Sequence, residues 1–140
     1  VLAARSETAI AEIAAEIVQA GGRALALPCD VASVTEMRAL IDRAQAETGR
    51  IDILVNNAGV IEPVARLADS DPEAWGTVVD INLKGVYHGL RFAIPEMLKA
   101  GGGTVINISS GAATGALEGW SHYCATKAGV LSLTRVADLE

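Results

Sequence analysis

The stretch Ile51-Asp52-Ile53-Leu54-Val55-Asn56-Asn57-Ala58-Gly59 decides the fold. Ile51–Val55 is short and rich in branched apolar side chains, so it reads as a strand. Asn56–Gly59 reads as the turn that leaves it. Upstream, Ser33-Val34-Thr35-Glu36 has the spacing of a capping box. Met37, Leu40, Ile41 and Ala44 then repeat at helical intervals until Gly49 stops them. Downstream, Asp71 caps a helix with Pro72 at its first position. That helix runs to about Lys99 with a bend near Gly85, and Gly101-Gly102-Gly103 ends it.

The same alternation extends outward. Val1–Ala4 is a short apolar run. Ser6 caps a helix whose stripe is Ile10, Ile13, Ile17 and Val18, ended by Gly21-Gly22. Arg23–Cys29 reads as a strand with Ala24, Leu25, Ala26 and Leu27 buried, and Thr104–Ser109 as another. Ser110–Gly119 is a loop of small residues, and helical patterning resumes from about Trp120. Apolar strands joined by helices predict an α/β fold, a Rossmann-type doubly wound parallel sheet in one domain spanning residues 1–140. Ligands in such sheets lie beyond the carboxyl ends of the strands. That rule gathers Arg5, Asp30, Asn56–Gly59 and Ser109–Gly111 along one rim.

The charge narrows the function classes. With 11 basic and 17 acidic residues the formal charge is −6, and no basic block exists, so nucleic acid is not an expected partner. Cys29 and Cys124 stand far apart, outside any metal-ligand spacing, and read as reduced cytoplasmic thiols. No metal and no membrane partner are expected, since no apolar run is long enough to span a bilayer.

Tyr123-Cys124-Ala125-Thr126-Lys127 carries the most chemical information. Positions four apart share a helix face. A free phenol titrates near about pH 10. An ammonium about 4 Å away favours the phenolate by about 4 kcal/mol at an effective dielectric of about 20. Such a pair can exchange a proton with a substrate oxygen, although a surface Tyr–Lys pair has the same spacing. Ser110 follows the apolar run Val105–Ile108, thirteen positions before Tyr123. Its hydroxyl can polarise the same oxygen, or simply satisfy a turn, which is the preferred reading for Ser109. Taken alone, Asn82 reads as a solvated helix residue and Asp30 as a cap or turn aspartate. His88, His122, Trp75 and Trp120 suggest no role, and His122 reads as a satisfied surface histidine.

Asn56-Asn57-Ala58-Gly59, Ile81-Asn82-Leu83-Lys84-Gly85, Ile106–Ser110 and Tyr123-x-x-x-Lys127, in this order and spacing, make the chain resemble the classical short-chain dehydrogenase/reductase family over its whole length. The resemblance implies an oxidoreductase that passes a hydride between NADP(H) or NAD(H) and a carbonyl or secondary alcohol. It implies catalytic roles for Asn82, Ser110, Tyr123 and Lys127. Tyr123 is the acid/base and Ser110 the donor to the substrate oxygen. Lys127 favours the tyrosinate and holds the nicotinamide ribose. Asn82 kinks its helix and holds a relay water through its backbone. Asn57, Ala58 and Gly59 would line the cofactor, and Asp30 and Val31 would meet the adenine. A carboxylate after the second family strand would bind the ribose hydroxyls of NAD. Here that position is Ala4, followed by Arg5, which suits a 2′-phosphate, so NADP is favoured over NAD. The family also implies a homo-oligomer, a dimer or tetramer, joined through the helices of Asp71–Lys99 and Trp120–Glu140.

The same resemblance casts the sequence as an internal piece without the family's first strand, its Gly-rich phosphate turn and the C-terminal strands. In the order 3-2-1-4-5-6 the first strand lies centrally, so the four strands here are expected as two separate pairs, inactive by themselves. A non-catalytic binding protein on this fold, or the epimerase/dehydratase branch that shares Tyr-x-x-x-Lys, are the alternatives. The Asn56–Gly59 turn favours the classical branch.

Overall fold

Strand and helix alternate along the whole chain of the computed structural model, which describes residues 1–140. The order is β1 (Leu2–Ala4), α1 (Glu7–Gln19), β2 (Ala26–Pro28), α2 (Val34–Thr48), β3 (Ile53–Asn56), α3 (Pro72–Val79), α4 (Gly85–Lys99), β4 (Thr104–Asn107) and α5 (Ser121–Ala137). A single π-helical turn, Asp80–Lys84, joins α3 to α4. Short 3₁₀ turns occupy Leu67–Asp69 and Gly111–Ala113.

The strands form two parallel pairs, β1 with β2 and β3 with β4. Each strand is shorter than its apolar run because a ladder extends only as far as its partner. The Leu2 N–H donates to the Leu25 carbonyl and the Cys29 N–H to Ala4, which closes the first ladder at both ends. Asp52 and Ile108 close the second in the same way, leaving Ser109 outside it.

Local chemistry sets the helix starts. Ser6, Ser33 and Asp71 accept backbone N–H groups of Ala9, Glu36 and Ala74, satisfying donors that a first turn leaves free. The capping box at Ser33 is only half formed. The Glu36 carboxylate accepts the N–H of Asp30 instead, at 2.8 Å, and so ties the end of β2 to α2. Gly49 closes α2 at φ 80°, a conformation that favours glycine.

Burial corrects one expectation, at Ala24–Leu27, and shows how little of α1 is covered. Of the α1 stripe only Ile10 is buried, while Ile13 and Val18 are exposed. Ala24–Leu27 are half-buried rather than buried. The core lies instead around α4. Ile41, Ala93 and Met97 pack with Leu54 and Val105, and Val86 and Leu90 pack with Val130 of α5. Tight packing needs glycine at position 89, where a Cβ would collide with the Asn56 side chain.

Candidate active site

A cleft of about 690 Å³ separates the two strand pairs, lined along its length by Ala3 and Ala4 of β1, Ile53–Val55 of β3 and Met37 and Ile41 of α2, where the family's first strand is expected. Arg5, Asp30, Val31, Asn57, Ala58 and Gly59, the residues expected at a cofactor, all line it. Their common position follows from topology, since each lies at or just past the carboxyl end of β1, β2 or β3. Asn82, Ser110, Tyr123 and Lys127 do not line this cleft. Asn82 and Lys127 meet at its Gly59–Val60 end, where a Cβ on Gly59 would stand 3.5 Å from Asn82 Oδ1 and 3.7 Å from Lys127 Nζ, and the Tyr123 ring lies beside Lys127.

Lys127 is 4% exposed. Its Nζ donates to the Ile108 carbonyl at 2.8 Å and sits 5.6 Å from the centre of the Tyr123 ring. Burial disfavours the ammonium and holds the Lys127 pKa below the ordinary lysine value. An ammonium has three donors. The one directed at Ile108 fixes the head group, and the other two make no hydrogen bond within the chain.

Asn82 overturns the solvated reading, being fully buried. It lies in the π turn that runs up to Gly85, near which a bend was expected. Its Oδ1 accepts the Val60 N–H and its Nδ2 donates to the Val60 carbonyl, both at 2.8 Å. A single side chain thereby satisfies both backbone polar groups of Val60, just after the Asn56–Gly59 turn. The same Nδ2 lies 3.4 Å from Thr126 Oγ1, which donates to the Tyr123 carbonyl. Thr126, 1% exposed, thus connects Asn82 to the turn of α5 that bears Tyr123.

Ser110 lies three residues past β4, before the 3₁₀ turn, and its Oγ accepts the Ala112 N–H at 3.2 Å. It makes no hydrogen bond with Tyr123, which is half-buried with its ring set edge-on to Trp120. The Ser110 hydroxyl hydrogen is left to donate elsewhere. Ser109, read as a turn residue, donates to the Lys127 carbonyl at 3.4 Å and so links β4 to α5. For Asp30 the turn reading is realised, as Oδ1 accepts the Ala32 N–H. Arg5 is exposed and makes no ion pair.

Two histidines were missed. His88 is buried, and its Nδ1 meets the Val31 carbonyl at 2.9 Å while Gly85 packs against the Val31 side chain. His122, expected at the surface, is 3% exposed and bonded on both ring nitrogens. Helical periodicity placed His122 about 100° from Tyr123 but gave no sign that the Val60–Ala65 segment covers that side. Cys29 and Cys124 are free thiols, and burial, followed by Glu36 and Asp30, pushes the Cys29 thiol up. No group of His, Cys, Asp or Glu side chains is arranged to hold a metal. No helix is long and apolar enough to cross a membrane.

Parallel strand pairs joined by crossover helices, with the rim residues at their carboxyl ends, define a nucleotide-binding domain of the Rossmann type. The family model described as short chain dehydrogenase matches residues 1–140, and the chain belongs to that family. A cis-4-hydroxycyclohexanecarboxylate dehydrogenase of Sinomonas cyclohexanicum is 42% identical over 126 residues, 90% of this chain and 51% of that protein. A metagenomic short-chain oxidoreductase solved in complex with NADP superposes with a TM-score of 0.92 at 36% identity, covering 97% of this chain and 62% of that one. An NAD⁺-bound xylitol dehydrogenase superposes with a TM-score of 0.95 at 27% identity, covering 99% and 53%. The chain spans about half the length of the curated relatives it matches.

Proposed function

We propose that the whole protein is an oxidoreductase that interconverts a secondary alcohol and its carbonyl compound using NADP(H), with Tyr123 transferring the proton. The observation that carries this reading is the buried Lys127 ammonium, with one donor on Ile108 and the others free, beside both the Tyr123 ring and the Gly59 end of the cleft. These residues fit a dinucleotide. Exposed backbone at Asn57–Gly59 permits close approach, Lys127 offers donors to ribose hydroxyls, and the bound nicotinamide supplies or accepts the hydride.

The chain's own residues handle the proton and the alignment. Tyr123 gives a proton to the carbonyl oxygen in reduction and takes it back in oxidation. Ser110 donates its free hydrogen to the same oxygen and orients it. Lys127 stabilises the tyrosinate through its charge. Asn82 holds the Gly59–Val60 backbone through its side chain and the relay water through its backbone.

Arg5 supports NADP over NAD, because an unpaired guanidinium at the end of β1 can pair with a 2′-phosphate where Ala4 offers no carboxylate. We extend the reading to a cytoplasmic homo-oligomer, dimer or tetramer. Exposed Tyr87 and Leu98 on α4 and Val136 on α5 support pairing through these helices.

The test is NADPH oxidation by the whole protein against a panel of cyclic and acyclic ketones. Tyr123→Phe is expected to lower kcat by about a thousandfold with the cofactor Kd nearly unchanged. Turnover that survives this change would remove Tyr123 from its role.

A further inference from the structure

Three helices start on a side-chain cap, from Ser6, Ser33 and Asp71. Helix α5, which carries Tyr123 and Lys127, starts after Trp120, whose side chain caps nothing. The first N–H groups of a helix have no partner inside it, and Tyr123 is only the third residue of α5. Its N–H is satisfied by the neighbouring side chain, donating to His122 Nδ1 at 2.6 Å. A backbone N–H can only donate, so Nδ1 is the unprotonated nitrogen and Nε2 carries the hydrogen. Nε2 then donates to the Pro63 carbonyl at 2.7 Å.

Pro63 belongs to a segment stitched along the start of α5. Asn82 holds Val60 at one end, and the Ala65 N–H donates to the Gly119 carbonyl at 3.1 Å at the other. The imidazole is the tie between them, buried and in one tautomer.

We propose that His122 is a positioning residue for the reaction, one ring nitrogen fixing the Tyr123 backbone and the other fixing the Val60–Ala65 segment that runs from the Gly59 end of the cleft along the start of α5. The inference rests on the reading of Tyr123 as the proton-transferring group. Small displacements of a reacting group cost large factors in rate. Loss of the Nδ1 bond therefore appears in kcat, and loss of the Nε2 bond in KM.

Three variants of the whole protein separate the two bonds. His122→Asn keeps an acceptor near the Nδ1 position and cannot reach Pro63. His122→Gln reaches Pro63 and offers nothing at the Nδ1 position. His122→Phe keeps the ring and loses both. Steady-state kinetics are expected to show kcat lowered about tenfold in His122→Phe and His122→Gln and largely restored in His122→Asn. KM is expected to rise in His122→Asn and stay near the parent value in His122→Gln. Amide hydrogen exchange at Tyr123 is expected to be slow in the parent and in His122→Asn, and faster in the other two.

Equal kcat in the parent and His122→Phe, or indistinguishable kinetics in His122→Asn and His122→Gln, would overturn the proposal. If His122→Phe fails to fold, the Asn–Gln contrast decides alone. Should Tyr123→Phe turn over like the parent, the proton-transfer reading fails by itself, and the exchange rate at the Tyr123 amide still decides whether His122 caps α5.

Discussion

In the unit β1–α1–β2 the helix buries only Ile10, whereas α4 buries Gly85, Val86, His88, Gly89, Leu90, Ala93 and Met97. The two regions also treat polar groups differently. Around α4 and α5, Asn82, His88, His122, Thr126 and Lys127 are all buried, and each has a named hydrogen-bond partner. In the first unit the polar groups are solvent-facing, and backbone ladders and one serine cap hold it. The contrast teaches that the expected cofactor rim is held by backbone geometry, while the Tyr–Lys site is held by side chains that have no alternative partners. Substitutions in the second region should therefore cost stability, and those in the first should mainly change recognition.

The largest expected effect is at Asn82. Asn82→Ala strands the N–H and the carbonyl of Val60, and unfolding in denaturant is expected to report a loss of about 3 kcal/mol. A loss below that of a surface cap would erase the contrast. Gly89→Ala forces a Cβ into the Asn56 amide, and overpacking of this kind is expected to cost about 2 kcal/mol by the same measurement. In the first region Ser6→Ala removes a weak cap of 3.4 Å and is expected to cost about 0.5 kcal/mol. Smallest in stability is Arg5→Ala. It should leave the melting temperature unchanged while raising KM for NADPH about tenfold, equivalent to about 1.4 kcal/mol, with KM for NADH unaffected.

The same contrast explains what the sequence made legible. Caps at Ser6, Ser33 and Asp71, the glycine stops and the rim residues depend on neighbours close in the chain, and they could be read from spacing. Two parallel pairs were expected from the strand order and are found. The missed features depend on partners far away. Asn82 meets Val60, His88 meets Val31 and His122 meets Pro63 across 22, 57 and 59 positions. A periodicity argument samples one helix at a time, so it leaves such a residue on whichever face the local pattern suggests. A bend was expected near Gly85, but the wider turn found there was not legible, because it is defined by the Gly85 N–H reaching back to the Asp80 carbonyl.

Asn56 and Asn107 end their strands as direct neighbours, with Asn56 Nδ2 donating to Asn107 Oδ1 at 2.8 Å and Asn107 Nδ2 donating to Thr134 Oγ1 at 2.9 Å. A one-step slip of β3 along β4 would set Asn56 against Ile106 or Ile108 and strand the Asn56 amide and the Asn107 Oδ1. These two amides make a single alignment cheaper than any other, and the depth at which Gly59 comes to rest beneath Lys127 is inherited from it.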